Sequence, residues 1–96
     1  MSGDTEHEAS ASLEIRNKLG LHARAAALLV QTASRFDAEV TISKDGQTVN
    51  GRSIMGIMML AAEQGSRIDV VSKGPQADEA LAAIRDLVDG RFNEPQ

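Results

Sequence analysis

The sequence predicts an α+β fold, an open-faced sandwich in which a four-stranded antiparallel sheet is covered on one face by three helices. Three observations support this prediction. Hydrophobic periods of two and of 3.6 residues alternate along the chain in the order βαββαβα. Asp45 and Gly46 form a typical hairpin turn between the second and third strands. A chain of 96 residues allows one domain with one modest core, and a sheet with one helical face buries every apolar stripe at this size.

The four strands are predicted from short runs in which apolar and polar residues alternate. They fall at about residues 12–17, 39–44, 47–50 and 67–72. In the second strand Val40 and Ile42 point inward, and in the fourth strand Ile68 and Val70 share one face. These strands therefore present one apolar face to the helices.

The three helices are predicted from apolar stripes at helical spacing. They extend over about residues 23–36, from Ser53 to before Gly65, and from Pro75 to before Gly90. The first stripe consists of Ala26, Leu29, Val30 and Ala33, and the third of Ala77, Ala80, Leu81, Ile84 and Val88. Pro75 is placed as the first residue of the third helix, and Gly90 as the residue that ends it.

The domain is expected over residues 12–92, between a disordered acidic tail at 1–11 and a short C-terminal tail at 93–96. His7 is interpreted as a solvated residue of the first tail. That tail has no lysine, no arginine and no apolar run, so we do not expect a signal peptide there. The chain also has no cysteine, which favours a reducing compartment. We therefore expect a cytoplasmic protein.

Charge and aromatic content exclude several function classes. The net charge is −4, and Asp4, Glu6 and Glu8 supply most of it, so the rest of the chain is nearly neutral. Phe36 and Phe92 are the only aromatic residues, which disfavours nucleic-acid binding. No apolar run is long enough for membrane insertion. No nucleotide loop, metal-ligand cluster or acid–base pair is found, so neither a cofactor, nor a metal, nor a self-sufficient enzyme is expected.

The most informative segment is 20–24, which reads Gly-Leu-His-Ala-Arg. His22 lies where a glycine-bearing loop gives way to an alanine-rich helix, and the first N–H groups of a helix lack intrahelical acceptors. Arg24 adds a planar cation suited to phosphate oxygens. These features favour a histidine that carries a phosphoryl group, while the residues alone leave open an ordinary polar surface histidine.

A family resemblance supports the phosphoryl interpretation. Residues 17–24, Asn-Lys-Leu-Gly-Leu-His-Ala-Arg, resemble the active-site segment of HPr, the histidine-containing phosphocarrier family of the bacterial phosphoenolpyruvate-dependent phosphotransferase system. Residues 49–58, Val-Asn-Gly-Arg-Ser-Ile-Met-Gly-Ile-Met, resemble the regulatory-serine region of that family. The resemblance extends from about Leu13 to Gly90. One departure is Ala25, because many members have proline at that position.

The resemblance implies an HPr-like open-faced sandwich and a set of functional residues. His22 would accept a phosphoryl group on Nδ1 from phospho-Enzyme I and pass it to Enzyme IIA domains in sugar transport. The backbone N–H groups of Ala23 and Arg24 would bind the phosphate oxygens, and the Arg24 side chain would screen their charge. Ser53 would be phosphorylated by an HPr kinase/phosphorylase. The protein would act as a monomeric carrier, not as a stand-alone enzyme.

The second helix has almost no polar face. If Ile57, Leu60 and Ala61 face the core, then Ile54, Met55 and Met58 lie toward solvent and would form the docking surface that the resemblance implies. The alternative is a deeply packed helix. Ser53 precedes this helix as an ordinary N-cap, and Arg52 beside it is placed to hold an added phosphate.

Two other functions stay open at this point. One is a regulatory HPr paralogue, in a nitrogen-type or catabolite-control circuit, that acts by protein binding and not in sugar transport. The other is a plain interaction module of the same fold with no chemistry. The presence of both His22 and Arg24 favours the carrier over an inactive relative.

Overall fold

The βαββαβα order predicted from the periodicity is confirmed by the computed structural model, which describes residues 7–94. The strands are β1 (Glu8–Glu14), β2 (Glu39–Lys44), β3 (Gln47–Asn50) and β4 (Arg67–Lys73). The helices are α1 (Ala23–Ser34), α2 (Ile54–Met59) and α3 (Ala77–Asp89), and a short 3₁₀ turn follows at Arg91–Asn93.

The four strands form one antiparallel sheet in the order β1-β4-β2-β3. Ile42 of β2 lies opposite Val70 of β4, and Leu13 of β1 lies opposite Ile68. The helices lie on the face that these side chains share, with α3 against β1 and β4 and α1 against α2 and α3. The other face stays open, so the predicted sandwich is correct. The largest fully buried apolar side chains are Ile15, Leu29, Val40, Ile42, Ile57, Ile68, Val70, Ile84, Val88 and Phe92.

The first strand begins earlier than predicted, at Glu8 and not near residue 12. Residues 8–11 pair with residues 70–73 of β4, so the prediction that they belong to a disordered tail is wrong. Residues 1–6 lie outside the described part of the chain. Ala9 and Ala11 face the core in this part of the strand. Because alanine and the neighbouring serines are all small, the sequence shows no clear alternation of hydrophobic and polar residues here. Pairing with the long β4 strand decides the start of β1. His7 is exposed, as expected, and its Nε2 lies 2.9 Å from an Asp78 carboxylate oxygen.

The helices differ from the predicted ones mainly at their ends. The α1 stripe is shifted slightly, because Ala25 is buried and Val30 is only half-buried. The stripe of α3 is confirmed in full, but Pro75 precedes the N-cap residue Gln76, so the helix begins two residues after it. Gly90 is the C-cap, as predicted.

Helix α2 is much shorter than predicted and ends at Met59. Ala61 has a φ of +52°, which lies outside the right-handed helix, and the carbonyl of Ala62 after this turn accepts the N–H of Leu21. The turn leaves Ala61 exposed, which contradicts its predicted core position, and brings Ala62 into the core.

The C-terminal boundary is also different from the prediction. Phe92 is completely buried, and the three residues of the 3₁₀ turn all have positive φ, at 58°, 53° and 60° for Arg91, Phe92 and Asn93. The ring of Phe92 belongs to the hydrophobic core. Glu94, two residues later, has a side chain that is only 6% exposed and contacts His22. Residues 93 and 94 are therefore part of the fold and not of a tail, while residues 95–96 lie outside the described part.

None of the helices in the described part of the chain is long and apolar enough to cross a membrane.

Candidate phosphoryl-transfer site

His22 is the N-cap residue of α1. Its backbone is extended (φ −76°, ψ −178°), and its carbonyl oxygen accepts the N–H of Ala26 at 2.8 Å. The imidazole makes no capping hydrogen bond, so it does not occupy the first turn of the helix. Its side chain is 28% exposed. The N–H groups of Ala23 and Arg24 lie in the first turn of α1, where the helix itself supplies no acceptor for them.

The loop before His22 is held by a close backbone contact. Gly20 has a φ of +69°, and a Cβ at this position would overlap the carbonyl oxygen of Ala62. The same oxygen accepts the N–H of Leu21 at 2.9 Å. Only glycine allows both the left-handed conformation and this approach. The contact connects the histidine loop directly to the segment that follows α2.

Two residues to which the sequence analysis assigned no role, Asn17 and Glu94, lie beside the imidazole. The Nε2 atom of His22 lies 2.7 Å from a carboxylate oxygen of Glu94. The amide nitrogen of Asn17 donates to the same Glu94 oxygen at 2.9 Å and to the carbonyl of Gly20 at 2.8 Å. Asn17 is fully buried, and the Glu94 side chain is only 6% exposed. Asn17 occurs in the segment that resembles the HPr site, but nothing in the sequence connects it to Glu94.

The electrostatics of Glu94 favour a carboxylate. Burial by itself would raise the pKa of Glu94, but the hydrogen bonds from His22 and Asn17 outweigh that effect and the pKa lies below its ordinary value. Glu94 therefore carries its charge directly beside the ring of His22 at neutral pH.

Arg24 lies in the first turn of α1, two residues after the imidazole, with an exposed side chain. Its guanidinium makes no hydrogen bond or ion pair with any residue in the range 7–94. It is therefore available for an anion bound at His22.

Ser53 is confirmed as the N-cap of α2, since its hydroxyl oxygen accepts the N–H of Gly56 at 3.0 Å. The side chain of Arg52 is directed elsewhere. Its guanidinium donates to the carbonyl oxygens of Phe36 and Ala38 at 3.1 and 3.0 Å. Arg52 is therefore not placed to hold a phosphate on Ser53, because two backbone acceptors already bind it.

Helix α2 exposes a set of large apolar side chains, as predicted from its composition. Met55 is 72% exposed, while Ile57 on the opposite side is completely buried. We call the exposed set the apolar patch, and it contains Ile54, Met55, Met58, Met59 and, in the loop before His22, Leu19. The exposure of the three residues predicted from the sequence is confirmed. Met59 and Leu19 were not expected, since the real end of α2 and the loop conformation decide their exposure.

The chain is similar to several known proteins. Residues 9–89 match the family model described as PTS HPr component phosphorylation site. The chain is 52% identical over 83 residues to the phosphocarrier protein HPr of Neisseria meningitidis serogroup A, an alignment that covers 86% of this chain and 93% of the relative. It is 49% identical over 80 residues to the phosphocarrier protein NPr of Shewanella violacea, covering 83% and 88% of the two chains.

The solved structures show the same fold. The crystal structure of HPr-C-His from Thermoanaerobacter tengcongensis superposes with a TM-score of 0.88 at 44% identity, over 92% of this chain and 99% of that one. Fold, site and relatives together define a small phosphocarrier protein. The chain belongs to the HPr family of the phosphotransferase system, as the two sequence motifs predicted.

Proposed function

We propose that His22 is the residue on which this phosphocarrier holds the phosphoryl group, taken from phospho-Enzyme I and passed to Enzyme IIA domains. One observation carries the proposal: His22 is the N-cap residue of α1, and Nε2 of its imidazole is bound to Glu94, which leaves Nδ1 as the nitrogen for phosphorus. The bond between phosphorus and the donor breaks as the N–P bond forms, and the electron pair leaves with the donor.

The groups around the phosphate are those of the first turn of α1. The N–H groups of Ala23 and Arg24 and the Arg24 guanidinium stabilise the oxygens of the transferring group, since all three are free to donate. A few donors of this kind orient the group without trapping it, which suits a carrier that must release it again. We propose a monomeric cytoplasmic carrier that needs Enzyme I and no cofactor, so the purified chain alone should not react with phosphoenolpyruvate.

The test is labelling from phosphoenolpyruvate and Enzyme I. His22→Ala should abolish the label, and His7→Ala, the matched control on the other histidine, should leave it intact. Arg24→Ala should slow transfer by about 10- to 100-fold, because the transferring group loses one hydrogen bond from a charged donor. The thermal midpoint of the variant should be unchanged. Label that survives His22→Ala would refute the assignment.

We also propose that Enzyme I docks on Ile54, Met55 and Met58 of the apolar patch. Methionine side chains adapt to different surfaces, and a carrier must bind several proteins. Met55→Glu should weaken binding to Enzyme I by at least tenfold with little change in stability, because this side chain is 72% exposed. Ala82→Glu, which adds the same charge on the exposed side of α3, is the control. A large loss of stability in Met55→Glu would show that Met55 is a core residue.

Ser53 is proposed as a regulatory phosphorylation site for an HPr kinase/phosphorylase. A phosphate there adds about −1.5 to −2 charges, which the N-terminus of α2 tolerates but an interface over Ile54 and Met55 does not. Ser53→Asp should therefore be phosphorylated on His22 much more slowly than Ser53→Ala, although the alanine variant loses the cap and about 0.5–2 kcal/mol of stability. Equal transfer rates in both variants and the parent would leave Ser53 as a cap only.

A regulatory paralogue is the second candidate function, and the similarity to NPr favours it. The identity of the acceptor separates the two candidates. Transfer from phosphorylated chain to a sugar-specific Enzyme IIA domain supports the carrier of sugar transport, and transfer only to a nitrogen-type acceptor supports the paralogue.

A further inference from the structure

We infer that Glu94 is a positioning residue for phosphoryl transfer: its carboxylate holds the proton of His22 on Nε2 and thereby presents Nδ1 as the nucleophile. The inference rests on the proposed phosphorylation of His22. It assigns a role to a residue far from both sequence motifs, near the C-terminal end of the chain.

The hydrogen-bond partner of Nε2 determines the tautomer. An ionised carboxylate only accepts hydrogen bonds, so at 2.7 Å from Glu94 the Nε2 atom must be the donor. A neutral imidazole carries one proton, and with that proton on Nε2 the Nδ1 atom keeps a free lone pair. The lowered pKa of Glu94 agrees with an ionised partner.

Asn17 makes this arrangement specific. Its amide group has two N–H bonds, and these point to the Glu94 carboxylate and to the carbonyl of Gly20. Both partners are acceptors, so a flipped amide would place oxygen against oxygen twice. The amide oxygen of Asn17 has no partner in the part of the chain that the structure describes, although it is buried. The buried side chain of Asn17 therefore connects Glu94 to the loop before His22.

The backbone before Glu94 supports the same conclusion. Three successive residues with positive φ, none of them glycine, form the turn 91–93, a conformation that side chains disfavour. Complete burial of Phe92 holds the turn in place. The turn directs the Glu94 side chain back toward the domain, 72 residues along the chain from His22.

The charge of Glu94 also contributes during transfer. As Nδ1 forms its bond to phosphorus, the ring acquires positive charge, while the bond to the donor breaks and its electron pair leaves with the donor. The Nε2 proton stays between the ring and the carboxylate, whose negative charge balances that of the ring. The reverse transfer to an acceptor uses the same contacts.

The experiment compares Glu94→Ala and Glu94→Gln with the parent, and Asp86→Ala is the control because it removes an exposed carboxylate on α3. The first readout is the ring N–H resonance of His22 in nitrogen-15-labelled protein. A hydrogen-bonded Nε2–H signal should be resolved in the parent and in Asp86→Ala, be weakened in Glu94→Gln, and be lost in Glu94→Ala. An Nε2–H signal that is unchanged in folded Glu94→Ala would overturn the inference, because the carboxylate would then not be what holds this proton.

The second readout is the rate of labelling from phosphoenolpyruvate at saturating Enzyme I. Glu94→Ala should be about 10- to 100-fold slower with an unchanged KM for Enzyme I, and Glu94→Gln, which keeps an acceptor but no charge, should recover part of the rate. Normal rates in both Glu94 variants would overturn the inference. If Glu94→Ala does not fold, the isosteric Glu94→Gln decides by itself, since a parental rate and ring signal in it would also overturn the inference.

The two proposals fail in different ways. Label that survives His22→Ala would remove the proposed function. Loss of label in His22→Ala together with parental behaviour of both Glu94 variants would remove only the role of Glu94.

Discussion

The close approach between Gly20 and Ala62 allows a quantitative test of how the histidine loop is held. The change is Gly20→Ala, and the matched control is Gly46→Ala in the β2–β3 turn. Both glycines have positive φ, at 69° and 84°. A Cβ at Gly46 meets no atom within 4 Å, whereas a Cβ at Gly20 would overlap the carbonyl oxygen of Ala62. The pair therefore separates backbone strain from a steric overlap.

The expected magnitudes follow from these contacts. Left-handed backbone costs a non-glycine residue about 1–2 kcal/mol, and Gly46→Ala should lose only this amount. In Gly20→Ala the carbonyl of Ala62 must also move away, which breaks its 2.9 Å hydrogen bond with the buried Leu21 N–H. Leaving that group unpaired adds about 1–3 kcal/mol. Gly20→Ala should therefore unfold about 4–24 °C below Gly46→Ala, at about 4–8 °C per kcal/mol for a domain of this size.

The assay combines thermal unfolding with labelling from phosphoenolpyruvate and Enzyme I at a temperature where both variants are folded. Gly46→Ala should be labelled at the parental rate. Gly20→Ala should be slower by about 100-fold, because a displacement near 1 Å of a reacting group has an effect of that size. Equal stabilities of the two variants, or a parental labelling rate in folded Gly20→Ala, would refute the argument that this contact positions His22.

Three further predictions concern backbone strain, a buried hydroxyl and acid stability. Ala61→Gly should raise the stability by about 0.5–1 kcal/mol, because φ is +52° at this residue. The control Ala82→Gly within α3 should lower the stability by about 1 kcal/mol. A loss of stability in both variants would contradict the strain argument. Ser72→Ala should be neutral or stabilising in urea unfolding, because its buried hydroxyl has no partner within the described residues, and a loss above about 1 kcal/mol would reveal an unseen partner. The pKa of Glu94 is lowered in the folded state from its ordinary 4.5, so its carboxylate adds stability that is complete above that pH and is lost as the pH falls through the folded-state value. In urea unfolding, the stability advantage of the parent over Glu94→Gln should therefore shrink only in acid. A stability difference that does not depend on pH would contradict the shift.

The elements that the sequence predicted correctly are those with a strong local period. Val40 and Ile42 alternate with polar neighbours, and the α3 stripe repeats at helical spacing, so both patterns are visible within a few residues. The start of β1 has no such signal, because Ala9 and Ala11 barely differ in hydrophobicity from the serines around them. Its backbone pairs with β4, more than 50 residues away in the chain, and local patterns do not report that pairing.

The C-terminal end of α2 illustrates the same limit. A local pattern of apolar residues continues past Met59, and it predicts a longer helix. The observed turn at Ala61 depends on the carbonyl of Ala62 reaching Leu21, a contact between two distant segments. Tertiary packing overrides helix propensity at such positions.

The sequence by itself determined the family, the order of the elements and the place of His22 at the start of α1. These features depend on neighbouring residues and on helical or strand periods, which a sequence displays directly. Only the tertiary structure showed which ring nitrogen of His22 is bound and by which residue. That contact joins residues 22 and 94 through a buried Asn17 and a left-handed turn, and no local pattern encodes a hydrogen bond between side chains 72 positions apart.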